Sequence, residues 1–140
     1  MKRIITFAVL IVLTIAAHAQ IEQYRTYKLT FHEEWNVEKN QYDKKTDHKA
    51  TWLLTWDIKG QVLTIHSNEP IKIFVVTQRE AAKTEKDADG DEYKTVKWNA
   101  VDQDGIQCLL VSRDWLEFDI RNWTLVYPGI ATEFYCDYLR

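Results

Sequence analysis

The stretch Glu92–Tyr127, EYKTVKWNAVDQDGIQCLLVSRDWLEFDIRNWTLVY, is the feature that most constrains the fold of this chain. Apolar and polar residues alternate along it, and turns as short as Asp102–Gly105 leave no room for a helix. Strands with such short connections pair with their sequence neighbours in antiparallel order. The stretch therefore predicts three or four antiparallel strands. One of them covers Trp115–Arg121, with Phe118 and Ile120 facing inward and Asn122 in the following turn.

Alternation of the same kind recurs on both sides of this stretch. No internal repeat and no linker divides the chain, so residues 20–140 are predicted to form a single β-domain. Consecutive short hairpins favour an all-β fold, a single antiparallel meander of about eight strands that forms a barrel or a strongly curled sheet. A β-sandwich is the alternative. The other predicted strands are Tyr24–Phe31, with Tyr27, Leu29 and Phe31 on one face, then Ala50–Ile58, Gln61–Ser67, Ile71–Thr77 and Thr132–Leu139.

The first 19 residues have the pattern of a secretory signal peptide. Lys2 and Arg3 precede an apolar run, and Ala17-His18-Ala19 supplies the small residues that a signal peptidase requires. The apolar run is shorter than the roughly 20 residues needed to cross a bilayer. We therefore expect cleavage after Ala19, a secreted or periplasmic mature chain, and no stable membrane insertion after cleavage.

The charge of the chain narrows the range of partners. The formal net charge is −3 at pH 7, and loss of Lys2 and Arg3 with the signal makes the remaining chain more acidic. An acidic domain has no electrostatic attraction for nucleic acid or for an anionic membrane surface.

Two polar segments, His32–Lys49 and Gln78–Asp91, separate the predicted strands and are predicted to be long loops. Trp35 and Tyr42 lie in the first loop, where they either hold the loop against the domain or contact a ligand. The aromatic residues on inward faces either line a cavity for an apolar ligand or fill the core of a small barrel, and three of them are the candidate ligand contacts. These residues are Trp52, Trp56 and Trp98.

The second polar segment contains acidic residues at alternating positions, followed by glycine. This pattern resembles the first half of a calcium-binding EF-hand loop, but position 12, where that loop requires glutamate, is Val96. The alternative is a solvated acidic hairpin turn in which Gly90 has positive φ. The candidate calcium ligands are Glu85, Asp87, Asp89 and Asp91.

The two cysteines, Cys108 and Cys136, lie in alternating patterns that place both side chains on the apolar side. An oxidising compartment favours a disulfide between them. A simple meander would keep their strands too far apart for the required Cα spacing of about 5.5 Å. The sequence leaves both outcomes open, a disulfide or two buried free thiols.

No motif for catalysis is present: the chain has no GxSxG, P-loop, GxGxxG or HExxH sequence, and no catalytic residue is predicted. The leading interpretation is a non-enzymatic binding module that contacts a protein partner or small ligand through its two long loops. The alternatives are a lipocalin-like carrier of an apolar small molecule in an aromatic-lined barrel, and a small hydrolase. Calcium is the one cofactor that the sequence suggests.

Several segments together resemble small secreted β-rich proteins of Bacteroidota that are largely uncharacterised. They are the short signal, the β-meander, KDADGDE, VDQDGIQC and WLEFDIRNWTLVY. The resemblance covers most of the chain after the signal, and its motifs are turns and core strands. It implies a periplasmic or extracellular location and a barrel-like fold, and it carries over no functional residue.

Overall fold

The computed structural model describes residues 20–115 and 117–139, which form ten strands and no helix. These residues contain no helix of the length and apolarity needed to cross a membrane. The predicted signal peptide, residues 1–19, lies outside the described residues. The strands are β1 (Ile21–Asn36), β2 (Gln41–His48), β3 (Leu53–Asp57), β4 (Val62–His66), β5 (Lys72–Arg79), β6 (Lys83–Lys86), β7 (Glu92–Asp102), β8 (Gln107–Trp115), β9 (Ile120–Tyr127) and β10 (Ile130–Leu139).

Eight of the ten strands close into an antiparallel barrel, in the order β1-β3-β4-β5-β7-β8-β9-β10, with β10 paired back to β1. The all-β, barrel-like prediction is therefore confirmed. The two remaining strands, β2 and β6, are additions to this barrel, and each pairs with one edge of a long strand.

The long strands β1 and β7 each divide one edge between two short partners. β1 pairs with β10 along one edge, while β3 takes Ile21–Arg25 and β2 takes Leu29–Asn36 on the other. β7 pairs with β8 along one edge and shares the other between β5 and β6. The barrel is therefore extended by a β1–β2 ribbon and by a shorter β6–β7 hairpin.

Thr26 forms hydrogen bonds with backbone groups at the point along β1 where the paired strand changes from β2 to β3. Its hydroxyl donates to the Ala50 carbonyl at 2.8 Å and accepts from the Trp52 N–H at 2.8 Å. The Thr26 N–H also donates to the Trp52 carbonyl at 3.0 Å. Because Thr26 is fully buried, these bonds remove the cost of unpaired backbone groups at the junction.

A β-bulge next to Thr26 changes which residues of β1 face the interior. The β1–β10 register shifts between Thr26 and Lys28, so Tyr27 has no partner in that ladder. An extra residue on one strand reverses the alternation beyond it. The prediction that Tyr27 shares the inner face with Leu29 and Phe31 is therefore wrong: Tyr27 is 48% exposed and Leu29 is 1% exposed.

The segment His32–Lys49, predicted as a long loop, is largely β-structure, so that interpretation is wrong. Gln78–Asp91 is a loop only in part, because residues 78–79 and 83–86 lie in strands. Within His32–Lys49, β1 continues to Asn36 and β2 follows a short turn. Within Gln78–Asp91, β5 ends at Arg79 and β6 pairs with β7. Most side chains of β2 and all four of β6 are exposed. A ribbon without a buried face has no apolar alternation, and hydrogen bonds to a long neighbouring strand hold it in place.

The predicted strand Trp115–Arg121 is also wrong. β8 ends at Trp115, residues 117–119 form a turn, and β9 begins at Ile120. Phe118 is 48% exposed in that turn, and Asn122, predicted in a turn, lies inside β9. The alternation of polar and apolar residues misleads here because Arg121 is largely buried and has carboxylate partners in place of water.

The barrel interior is filled by aromatic side chains around fully buried Trp123. Ring centroids lie 5.3 Å apart for Trp56 and Trp98, 5.3 Å for Trp56 and Trp123, and 5.5 Å for Trp98 and Trp123. Tyr24 contacts Trp123 edge-on at 6.2 Å. Aromatic side chains each bury 150–250 Å², roughly, so this cluster supplies much of the apolar burial that stabilises the barrel.

Arg121, on β9, lies beside the aromatic cluster and bonds residues of β8 and of β1, which lies beyond β10. Its guanidinium donates to Glu22 at 2.7 Å, to the Tyr24 hydroxyl at 2.8 Å and to Asp114 at 3.0 Å. The Tyr138 hydroxyl donates to Asp114 at 3.3 Å. Burial raises the pKa of Tyr24, although the nearby Arg121 charge opposes that shift. Two carboxylates therefore share this single guanidinium.

Candidate functional site

The predicted aromatic ligand contacts fall into three different environments. Trp56 and Trp98 are 5% and 6% exposed and belong to the core cluster around Trp123. Trp52 packs against Phe134 at 6.2 Å and lines a shallow pocket of about 420 Å³. The structure therefore does not bring the three inward tryptophans together around one open cavity, and their role in ligand binding stays a prediction.

Trp35 and Tyr42 contact each other across the β1–β2 ribbon, edge to face, at 5.0 Å. Together with the turn at Pro128–Gly129 and residues of β5, β7 and β8 they line a pocket of about 830 Å³, called here the ribbon pocket. Trp35 is 42% exposed. The structure thus places both predicted aromatics at one pocket.

Three of the four candidate calcium ligands lie together. Carboxylate oxygens of Asp87, Asp89 and Asp91 are within 4.8 Å of one another, whereas Glu85 accepts a 3.0 Å hydrogen bond from Thr95 on the neighbouring strand. Calcium in proteins takes 6–8 oxygen ligands. With one oxygen from each, the three aspartates supply half of the smallest such set, and backbone carbonyls or water would have to complete it. Calcium binding therefore stays a prediction.

Asp87 has a role in the turn that involves no metal. One of its carboxylate oxygens accepts the backbone N–H groups of Asp89 and Asp91, both at 3.0 Å. The other accepts the indole N–H of Trp115 at 3.0 Å. The Trp115 bond and these backbone N–H groups hold the pKa of Asp87 below its usual range. Gly90 has the expected positive φ, at 85°. The acidic turn therefore fixes the Trp115 ring.

Cys108 and Cys136 are buried free thiols in the structure, on β8 and β10 with β9 between them. The Cys136 thiol lies 3.5 Å from the Phe134 carbonyl, and the Cys108 thiol lies 3.7 Å from the Ala100 carbonyl. Burial raises the pKa of Cys136 to about 12 and also raises the pKa of Cys108. Both thiols are therefore poor nucleophiles near neutral pH.

A second large pocket, of about 530 Å³, lies on the outside of the barrel across β7, β8, β9 and β10, and is called here the outer groove. The acidic turn and the turn at residues 117–119 supply further parts of its lining. Five aromatic side chains line it: Tyr27, Tyr93, Trp115, Phe118 and Tyr135.

The aromatic residues form two pairs on either side of the outer groove. Tyr93 and Trp115 face each other from β7 and β8, with ring centroids 5.0 Å apart. Tyr27 and Tyr135 face each other from β1 and β10, at 6.2 Å. Residues of β9, including Asn122, lie between the two pairs. The groove therefore has aromatic walls and a floor built on β9.

The floor of the outer groove carries polar side chains from three adjacent strands. Arg113 on β8 lies beside Asn122 on β9 and forms a 3.7 Å ion pair with Glu133 on β10. Glu133 is also 3.4 Å from His32. Among the described residues, the buried Asn122 Oδ1 and the buried Arg113 Nε have no hydrogen-bond partner. Asn122 is 6% exposed, so its amide is almost wholly removed from solvent.

Sequence reasoning missed the outer groove. Asn122, predicted in a turn, lies beside Arg113 within paired strands. Tyr27 and Phe118 were predicted to face inward, and both line the groove. The available signal was the alternation of polar and aromatic residues on outward positions of β8 and β10, which can be recognised only once it is known which residues of each strand face outward.

Comparison with known proteins provides no further constraint on this site. No family model, no curated protein and no solved structure matches this chain.

Proposed function

We propose that this protein is a secreted or periplasmic binding domain that holds a ligand in the outer groove. The observation that supports this function best is the buried Asn122 amide oxygen without a partner on the groove floor. Burying an acceptor without a hydrogen bond costs about 1–3 kcal/mol. A bound donor recovers that cost, whereas the folded chain alone does not.

The walls of the groove are suited to binding because their orientation is set before a ligand arrives. Trp115 is held by the Asp87 carboxylate, and its other contact is Tyr93 on the adjacent strand. Small-molecule sites have volumes of about 300–1,000 Å³, with apolar walls and a few placed polar groups. The outer groove, at about 530 Å³, falls within that range.

The lipocalin-like alternative receives less support from the interior. A carrier needs open space between its inward side chains, whereas Trp56, Trp98 and Trp123 contact one another across the interior. Separating those rings would forfeit packing energy of about 0.5–1.5 kcal/mol for each pair, in addition to area burial.

Thermal melting with a mixed panel of ligands tests the proposal. The panel holds neutral and charged oligosaccharides, peptides and apolar amphiphiles, each measured with the wild type and two variants. A ligand at about 100-fold its Kd stabilises a protein by about 2.7 kcal/mol. We expect one ligand class to raise the melting temperature of the wild type, with the rise lost in Trp115→Ala.

The control is Trp35→Ala, which removes a more exposed tryptophan from the ribbon pocket. It should keep the ligand-induced rise. A rise lost in Trp35→Ala and kept in Trp115→Ala would move the binding site to the ribbon pocket and contradict the proposal. The absence of any stabilising ligand would contradict it as well.

A further inference from the structure

We infer that the outer groove takes a neutral saccharide, with one of its hydroxyl groups bound between Arg113 and Asn122. This inference rests on the proposed function, because it names the ligand class for the same groove.

The unpaired atoms on the floor match the hydrogen-bonding capacity of a hydroxyl group. Arg113 Nε is a donor and Asn122 Oδ1 is an acceptor, and the strand register places the two residues side by side on β8 and β9. A hydroxyl donates one hydrogen bond and accepts others, so a single hydroxyl can serve both atoms. Saccharides present several such groups around each ring.

The walls match the rest of a sugar ring. A pyranose ring carries hydroxyls at its edge and C–H groups on its faces. The flat faces of aromatic side chains are apolar, and they suit such C–H surfaces. The Tyr93–Trp115 and Tyr27–Tyr135 pairs stand on opposite sides of the polar floor. A ring on the floor therefore meets aromatic surface on either side.

The charges of the groove disfavour an ionic ligand. Three carboxylates line it, on Asp87, Asp91 and Glu133, against the single guanidinium of Arg113. An anion would face this acidic excess. The acidic excess would attract a cation, but an ammonium or guanidinium cannot accept a hydrogen bond from Arg113 Nε, and the Lys28 ammonium already lies 4.0 Å from the centre of the Tyr135 ring. A neutral ligand avoids both conflicts.

Apolar ligands and extended peptides fit the groove less well. An apolar ligand would give neither Asn122 Oδ1 nor Arg113 Nε a partner, so it would recover none of the roughly 1–3 kcal/mol that each unpaired buried atom costs. Extended peptides gain affinity by pairing with a free strand edge. Under the groove, β8, β9 and β10 are each paired on both edges and offer none.

The barrel interior also contains unpaired buried atoms, but these differ from the atoms of the groove in whether they donate or accept hydrogen bonds. Arg121 Nε and Trp123 Nε1 lack partners among the described residues, but both are donors. Neither residue lines the outer groove or the ribbon pocket. An unpaired donor and an unpaired acceptor occur together at the outer groove.

Calorimetric titration with soluble oligosaccharides tests the inference on the full mature chain. The probes are neutral gluco-, xylo- and manno-oligosaccharides, with galacturonate oligomers, chitosan oligomers, a basic peptide and an apolar amphiphile as comparison classes. We expect at least one neutral oligosaccharide to bind. Asn122→Leu should weaken its affinity at least tenfold, and Trp115→Ala should do the same.

Melting temperature separates a binding role of Asn122 from a structural one. Replacing an unpaired buried amide by an apolar group of similar size should leave stability unchanged or raise it. A structural asparagine would instead lower the melting temperature when replaced. The matched control is Asn99→Leu, an exposed outward asparagine on β7 that does not line the outer groove. It should bind as the wild type does.

The possible failures point to different conclusions. Binding of an anionic, cationic, peptide or apolar probe, abolished by Trp115→Ala, would overturn the saccharide assignment and leave the proposed function intact. Neutral saccharide binding that Asn122→Leu does not weaken would overturn the assignment of the hydroxyl site. No binding by any probe class would contradict both the inference and the proposed function.

Discussion

The barrel interior and the outer groove contain the same kinds of residue, aromatic side chains beside an arginine, in opposite arrangements. In the interior, Trp56, Trp98 and Trp123 pack on one another, and Arg121 bonds two carboxylates and a tyrosine hydroxyl. In the groove, the aromatic pairs stand apart across a polar floor, and Arg113 has a single carboxylate at 3.7 Å.

The alternation of side chains between the two faces of each strand accounts for this difference. Successive residues of a strand point to opposite faces of the sheet, so Asn122 and Trp123 are neighbours in sequence and lie on opposite sides of the barrel wall. Interior aromatics are removed from water on all sides and contribute to stability. Outward aromatics that are only partly covered keep surface that a ligand can contact.

Removing one interior tryptophan should give the largest effect, and it tests whether interior aromatics contribute more to stability than aromatics of the groove. Trp123→Ala deletes a fully buried side chain and leaves a cavity, so the free energy of unfolding should fall by about 3–5 kcal/mol. Trp115→Ala, on the groove wall, should cost less, about 1–2 kcal/mol, because it removes one hydrogen bond and one aromatic pair and leaves the core intact. Urea denaturation measures both values. Equal losses would show that the groove wall is part of the core.

The two arginines provide a second, smaller contrast. Arg121→Met leaves Glu22 and Asp114 without their shared partner, which should cost about 1.5–3 kcal/mol, the range for hydrogen bonds to charged groups. Arg113→Met breaks a more exposed pair with Glu133 and should cost at most about 1 kcal/mol. Urea denaturation measures both losses. A larger loss for Arg113→Met would show that the pair in the groove contributes more to stability than the pairs of Arg121.

The smallest effect concerns the hydrogen bond between Trp115 and Asp87 and the dependence of that bond on pH. The pKa of Asp87 lies below its ordinary value of 3.8, so its bond to Trp115 is intact above that value and weakens as pH falls through the lowered pKa. The indole N–H resonance of Trp115 should therefore shift only at acid pH. Asp87→Asn should abolish that titration, and Asp89→Asn should preserve it. A shift centred near neutral pH would exclude Asp87 as its cause.

The fold class was predictable because the sheet is built from sequence neighbours. Val96, Trp98 and Ala100 face inward as their alternation predicts, and all three are buried. The exceptions have local causes. The bulge at Tyr27 depends on pairing with β10, far away in sequence, and β2 has no apolar alternation because neither of its faces is buried. Such features depend on tertiary pairing, which a local pattern does not contain.

The candidate site was harder to predict than the fold. Trp35 and Tyr42 were singled out as aromatics in a polar segment, and both line the ribbon pocket. Asn122 and Arg113 were not singled out, because polar residues on outward positions normally face solvent. Each has one buried atom without a hydrogen-bond partner, Asn122 Oδ1 and Arg113 Nε, and this property arises only when neighbouring strands bring Tyr135 and Trp115 to the same surface.

The pairing of β10 with β1 has a consequence for how the chain folds. These two strands share ten residue pairs at the largest sequence separations in the molecule, so closing the ring requires the chain to bring its first and last strands together. Contacts between distant segments carry a high loop-closure entropy and slow folding. The hairpins from β7 to β10 can form early from local contacts, but the cylinder stays open until its final strand is available. Before that moment both seam strands expose unpaired backbone edges, which makes β1 and β10 the segments most prone to mispairing between chains during folding.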